Sequence, residues 1–285
     1  MQNTAFSVNK TLHVRGTVVD LSEPKVMGIL NVTPDSFFDG GKYLSERQIL
    51  SQVEEIESQG ATFIDIGGYS SRPGAADVSE TEEISRVLPA IKLINKNFPS
   101  LIISVDTFRS KVAEVAVKEG ASIINDISGG TLDTKMFEIV AAFNVPYILM
   151  HMKGTPQTML REAKYENLLK EIIDYFHAKV HQLHSLGVKD IILDPGFGFA
   201  KTREHNFKLL NDLNLLYILG KPILVGLSRK SMVWKTLDIE PKDALNGTTS
   251  LNTIALINGA SILRVHDVKE AAQAVKLVKA LKDNL

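Results

Sequence analysis

Short apolar runs recur along the chain, separated by segments of helical length. They are KVMGILNV (25–32), TFIDIGG (62–68), LIISVDT (101–107), SIINDIS (122–128), PYILMH (146–151), IILDPG (191–196), ILVGLS (223–228) and SILRVH (261–266). Each run is almost continuously aliphatic, the pattern of a strand covered on both faces in a parallel sheet. The intervening segments repeat every three to four residues. In SERQILSQVEEIESQG (45–60), Ile49, Val53 and Ile56 share a face and Gly60 stands where a helix stops. In 163–187, Leu168, Ile172, Tyr175, Phe176, Lys179 and Leu183 share a side and Gly187 closes the segment. Eight strands alternating with eight helices over about 250 residues predict an α/β protein built as a (β/α)8 TIM barrel, with a doubly wound open sheet as the alternative. No Ser, Pro or Gly-rich linker divides the chain, so a single domain over 1–285 is expected. Its opening stretch, FSVNKTLHVRGTVVDL, alternates like a small hairpin. Residues 1–22 are therefore expected to close the bottom of a barrel formed by 23–285.

Composition narrows the partners. Lys and Arg number 32 against 33 Asp and Glu, too even a balance to attract nucleic acid or an anionic membrane, which leaves small molecules. With no cysteine there is neither a disulfide framework nor a thiolate metal site. The amino terminus lacks a basic leader with an apolar core, and no apolar stretch reaches the roughly 18–20 residues that span a bilayer. The expectation is a cytoplasmic protein.

A barrel of this kind assembles its active site at the carboxyl ends of its strands, and those ends are polar here. They carry Asn31, then Asp65 with Gly67 and Gly68, Asp106, Asn125 with Asp126, His151, Asp194, Ser228 with Arg229 and Lys230, and Arg264 with His266 and Asp267. Any one of them is explained as the N-cap of the next helix. As a set they are not, because Asp106, Asn125 and Asp194 come from strands around one mouth, and Lys230 adds a donor. Acceptors and an amide facing one cavity suit the N–H edge of a flat, nitrogen-rich ring such as a pterin or purine.

A second group has the opposite sign. GGYSSRPG (67–74) supplies glycines, hydroxyls and Arg72, while Arg264 and His266 alternate on the eighth strand and so share a face. Together they make a phosphate or diphosphate cradle; alone, 67–74 is equally well an ordinary turn. Asn31 offers a hard oxygen beside it, enough to suspect Mg2+, which takes few protein ligands. TPDSFFDGGKY (33–43) is either a lid carrying Phe37 and Phe38 or a segment with misplaced core residues. Met150 and Met152 either fill the core or wall a ring pocket. His177, His181 and His184 lie on an outer helix without an acidic partner and read as a solvated face.

Seven of these stretches, NVTPDSF, GGYSSRPG, VDT, INDISGG, DPGFGF, GLSRKS and RVHDV, stand in the order and approximate spacing of the motifs of bacterial dihydropteroate synthases. The chain resembles that family over about residues 23–275. The resemblance implies a homodimeric, Mg2+-dependent transferase of folate synthesis. It would join 4-aminobenzoate to 6-hydroxymethyl-7,8-dihydropterin diphosphate, and sulfonamides would compete with the aminobenzoate. By resemblance, Asp106, Asn125, Met150, Asp194, Phe199, Lys230 and Arg264 hold the pterin. Asn31, Ser71, Arg72, Arg264 and His266 hold the diphosphate, with Mg2+ at Asn31. Phe37, Ser71, Arg72, Pro73, Lys230 and Ser231 form the aminobenzoate side. Asp106, Asp194, Lys230, Arg264 and His266 are the expected catalytic set.

Three positions depart from the family pattern: Tyr69 and Ser71, where Glu and Thr are usual, and Ala200, often Gly. They bear on sulfonamide affinity more than on activity. A pterin-dependent methyltransferase would need no anion cradle, and a catalytically silent pterin-binding protein would have lost the loop residues that this chain keeps.

Overall fold

The computed structural model describes residues 8–33, 45–70 and 77–284. The described residues open with a hairpin of β1 (Thr11–Val14) and β2 (Thr17–Asp20). It turns at Arg15 and Gly16, whose φ values of 51° and 76° supply the two left-handed residues that match a two-residue turn to the twist of its strands.

Eight parallel strands follow. They are β3 (Lys25–Asn31), β4 (Phe63–Gly67), β5 (Ile102–Asp106), β6 (Ile123–Asp126), β7 (Tyr147–Met150), β8 (Ile191–Asp194), β9 (Leu224–Val225) and β10 (Ile262–Val265). Their order is β8-β7-β6-β5-β4-β3-β10-β9. Leu193 of β8 bridges Ile223, just before β9, and donates its N–H to the Pro222 carbonyl at 2.9 Å, which draws the two edges together into a barrel. Pro222 brings no N–H to the ladder, and β9 is correspondingly the shortest strand. All eight runs predicted from the sequence are strands of this sheet.

Side-chain alternation sorts the aliphatic residues into two cores. Met27, Phe63, Ile123, Ile148, Ile192, Leu224 and Ile262 point inward at the amino-terminal end, where they pack with Leu12, Val14 and Leu21. Their strand neighbours Leu30, Ile64, Ile103, Ile124, Leu149, Leu193, Val225 and Leu263 point outward against the helices. Both parities are buried, which is why the runs read as continuous. The hairpin closes the bottom as expected, with Leu12 and Val14 buried over the inner layer.

The helices are α1 (Glu46–Ser58), α2 (Glu80–Asn97), α3 (Ser110–Lys118), α4 (Met136–Phe143), α5 (Leu168–Ser185), α6 (Arg203–Asn211), α7 (Ser231–Leu237), α8 (Leu245–Ile257) and α9 (Val268–Asp283). In α1 the buried face is Ile49, Val53 and Ile56, and Ser45 and Gln48 form a capping box at its start. The described residues thus hold nine α-helices where the sequence pattern gave eight. Between β9 and β10 the chain makes two, because Asp238 turns left-handed (φ 54°) after α7 and Pro241 begins a separate short turn before α8.

Because Leu12 is fully buried in the plug, Leu12→Ala is expected to lower stability by about 2–5 kcal/mol, measured as a shift in the urea midpoint at unchanged m. A shift under about 0.5 kcal/mol would show that the plug does not contribute to the core.

Candidate active site

Inward-facing positions continue up each strand two residues at a time. From the apolar bottom layer, Phe63 leads to Asp65 and Gly67, Ile123 to Asn125, Ile148 to Met150, Ile192 to Asp194, and Ile262 to Arg264 and His266. The barrel interior therefore turns from hydrocarbon to charge within one repeat. Asp65, Asn125 and Asp194 are all buried.

Arg264 sits at the centre. Its Nε donates to Asp65 Oδ2 at 2.6 Å and its Nη2 to Asp106 Oδ2 at 2.8 Å, while Asn125 Nδ2 donates to the same Asp65 oxygen at 2.9 Å. Burial works against the guanidinium's charge, but Asp65 and Asp106 outweigh it and hold the group above its ordinary range. Burial pushes the Asp106 carboxyl up to about 7, with Arg264 pulling it down and Asp65, Glu83 and Asp126 pushing it further up. Asp194 is likewise raised by burial, opposed by Lys230 and by the Gly196 N–H that donates to its Oδ1 at 2.8 Å.

The loop after β8 is built on two lysines. Lys230 donates to the Phe197 carbonyl, its Nζ lies 4.8 Å from the centre of the Phe199 ring, and burial lowers it to about 8. Buried Lys201 reaches His151 Nδ1 at 3.0 Å and the Gly196 and Phe199 carbonyls at 3.1 Å each. Burial lowers Lys201 to about 7 and His151 to about 2, so the imidazole is neutral and accepts. Gly196 has φ 71°, and a side chain there would run into the His151 carbonyl. Ala200 is also left-handed (φ 48°), a conformation that glycine adopts more readily than alanine.

Beside the polar cluster stands an apolar wall of Ile127, Met150, Met152, Met159 and Ala200, with Phe108 and Phe199 packed on it. The two methionines belong to this wall and not to either barrel core. Wall and polar cluster together offer a slot for a flat ring whose edge carries donors.

Toward the rim, His266 Nδ1 lies 3.0 Å from Ser228 Oγ, which also accepts the His266 N–H. A Cβ added to Gly67 would stand 3.4 Å from Asn31 Oδ1 and 3.9 Å from Asp106 Oδ2, so a bare glycine keeps this rim clear for a ligand. Ser231 is exposed at the start of α7. Tyr69 packs edge-on against Phe108 at 5.0 Å and accepts from Gln157. Phe37, Ser71, Arg72 and Pro73 lie outside the described residues.

Asn31, Asp106, Asn125, Met150, Asp194, Phe199, Lys230, Arg264 and His266 thus gather at the carboxyl end of the barrel. Asp126, adjacent to Asn125, faces outward and accepts from Tyr147 Oη and from the Ser128 and Gly130 N–H groups, which makes it a turn-former. His184 contacts Lys221, and the described residues hold no cluster of three or more His, Cys, Asp or Glu suited to a metal. Sequence reasoning named Asp65 among the polar strand ends without giving it a role, and it did not single out Lys201. The signal for Asp65 was its place two residues before Gly67, on the inward parity of an apolar run; Lys201 gave none.

A barrel with this mouth corresponds to a known class: residues 27–266 match the family model described as "Pterin binding enzyme". The dihydropteroate synthase of Bacillus subtilis is 44% identical over 284 residues, covering 99% of this chain and 97% of the relative. That of Escherichia coli is 43% identical over 271 residues, covering 94% and 95%. The Yersinia pestis dihydropteroate synthase solved with a sulfonamide drug complex superposes at a TM-score of 0.91 with 41% identity, covering 96% of this chain and 100% of that one. The Xanthomonas albilineans enzyme solved with 4-aminobenzoic acid gives 0.88 at 35% identity, covering 96% and 99%. The chain belongs to the dihydropteroate synthase family and is a transferase.

Burial raises the Asp106 carboxyl to about 7 in the folded barrel, against an ordinary 3.8. A carboxyl raised on folding stabilises the native state at low pH and loses that contribution as pH climbs through the window. Relative to the parent chain, Asp106→Asn is therefore expected to gain stability in urea from about pH 4 to about pH 7 and to stay level above it. A difference that is flat across this window would exclude the raised carboxyl.

Proposed function

We propose that this site joins 4-aminobenzoate to 6-hydroxymethyl-7,8-dihydropterin diphosphate, giving 7,8-dihydropteroate for folate synthesis and free diphosphate. The observation that carries the reading is the Arg264 guanidinium held between Asp65 and Asp106 in a mouth shared with Asn125, Asp194 and Lys230. Asp194, Asp106 and Asn125 take the N–H edge of the pterin, Lys230 donates to its ring, and Met150 and Phe199 cover its face. Arg264, His266 and Asn31 receive the diphosphate together with Ser71 and Arg72. Phe37, Ser71, Arg72, Pro73, Lys230 and Ser231 form the aminobenzoate side.

In the reaction the carbon–oxygen bond to diphosphate breaks and a carbon–nitrogen bond to the aminobenzoate forms; the amine's proton leaves to solvent. Breaking the first bond early places positive charge on the pterin methylene and negative charge on the diphosphate. A buried carboxylate is worth more to a cation than to a neutral ring, so Asp106 and Asp194 favour the charged species over the bound substrate. Arg264 and His266 take up the charge of the leaving group. The aniline then attacks, and no covalent enzyme intermediate is needed.

Asn31 fits Mg2+, since one amide oxygen beside an open rim leaves the remaining positions to water and phosphate. When bound, the ion would neutralise part of the diphosphate charge. The exposed Ile254, Ile257, Leu277 and Leu281 on α8 and α9 support a homodimer, which sedimentation would register as twice the chain mass. A cytoplasmic location agrees with the absence of cysteine. Tyr69, fixed beside Phe108 and Gln157, would shape how sulfonamides meet the aminobenzoate side.

The test is diphosphate release from the dihydropterin diphosphate with Mg2+, with and without 4-aminobenzoate. Release that requires aminobenzoate and yields dihydropteroate is expected; no release would end the reading. Asp194→Asn should lower kcat by about 10²-fold while weakening dihydropteroate binding by less than about tenfold. Equal losses in both would remove the electrostatic argument.

A further inference from the structure

In a barrel of eight strands, alternate strands contribute side chains to the same interior layer. Around this barrel β8, β6, β4 and β10 alternate. At the lower level they place Ile192, Ile123, Phe63 and Ile262, an ordinary apolar layer. Two residues up they place Asp194, Asn125, Asp65 and Arg264, a layer that is polar at every position. Three of these four have a role in the function proposed above, Asp194 and Asn125 toward the pterin and Arg264 toward the diphosphate. The fourth, Asp65, is fully buried, carries no assigned role, and touches both neighbours at once.

The geometry explains what it does. Asp65 Oδ2 receives Arg264 Nε from one side and Asn125 Nδ2 from the other, at 2.6 Å and 2.9 Å. Arg264 can then keep only Nη2 for Asp106, and Asn125 has its amide plane fixed with the carbonyl oxygen turned away from Asp65. Asp65 Oδ1 has no hydrogen-bond partner among the described residues, so the carboxylate is not there to saturate its own hydrogen bonding. A neutral acceptor would supply the same two contacts; a carboxylate adds a negative charge at the floor of the cavity.

We propose that Asp65 is a positioning residue for the synthase reaction: it locks Arg264 and Asn125 in place and contributes the negative charge that balances Arg264 beneath the pterin methylene. This rests on the function proposed above. Asp65 lies one layer below the rim and acts through its neighbours, without touching substrate. Its charge keeps Arg264 from opposing the positive charge that develops on the methylene, while leaving the guanidinium's outer edge for the diphosphate. The effect belongs to the step that separates charge and not to the binding of the intact, negatively charged substrate.

Asp65→Asn preserves shape and both acceptor contacts and removes only the charge. In the purified full-length chain with Mg2+, kcat is expected to fall by roughly tenfold or more, with KM for the dihydropterin diphosphate unchanged or lower and KM for aminobenzoate unchanged. Thermal unfolding is measured alongside. A residue that merely held the fold would instead lower the unfolding temperature and raise both KM values. A folded Asn variant with kcat within about threefold of the parent overturns the proposal, as does a fall in kcat matched by equal weakening of dihydropteroate binding. Should the Asn variant not fold, Asp65→Glu decides, because it keeps the charge and displaces the two contacts. A smaller loss of kcat than that of Arg264→Gln supports the proposal, and an equal loss overturns it. A parent chain that releases no diphosphate removes the functional reading and this inference together.

Discussion

A guanidinium inside a barrel is tolerable only when carboxylates stand around it, and the upper half of this structure follows from that requirement. Arg264 projects inward from β10, where its neighbours on the strand below and above are Ile262 and His266. Its two hydrogen bonds, to Asp65 and Asp106, reach across the barrel to β4 and β5. Those carboxylates are in turn costly to bury without it, and removing one partner from such a set leaves the others uncompensated. Charge of both signs is therefore concentrated at one level, and any ligand entering the mouth meets groups already held in place by one another. The wall beside it, from Ile127 to Ala200, is apolar, so charge and hydrocarbon meet at the mouth.

The loop over β8 obeys the same economy with one more cation. Lys201 is wrapped by the carbonyls of Gly196 and Phe199 and by a neutral His151, so the turn is shaped around its side-chain nitrogen. Left-handed backbone at Gly196, Gly198 and Ala200 is the conformational counterpart, since successive carbonyls must turn toward one point. Asp194 and Phe199 are presented by this turn, and Lys230 holds it from the other side through the Phe197 carbonyl.

Much of this was legible in the sequence. Eight two-sided apolar runs specify a parallel sheet and favour the barrel over the open sheet, and a rule that looks at strand ends finds Asn31, Asp106, Asn125, Asp194 and Arg264. Parity placed Arg264 and His266 on one face. The same rule lists Asp65 but gives it no role, because a carboxylate in mid-strand looks like an interruption of an apolar run until its inward neighbour Phe63 is known. It also lists Asp126 beside Asn125, although adjacent residues on a strand point to opposite sides and only one of them can face the cavity. Lys201 was illegible for another reason: a lysine near a helix start reads as solvated, and only the folded turn shows it to be enclosed. The second helix between β9 and β10 was hidden because a left-handed Asp238 leaves no glycine to mark the stop.

The hairpin plug divides the labour of the barrel. Leu12 and Val14 are seated under the inner apolar layer, so the amino-terminal end is a packed core that contributes stability. Asp65, Asn125, Asp194 and Arg264 stand on the far side of that layer. A change in the hairpin is therefore read in unfolding, at a distance from the groups that line the mouth.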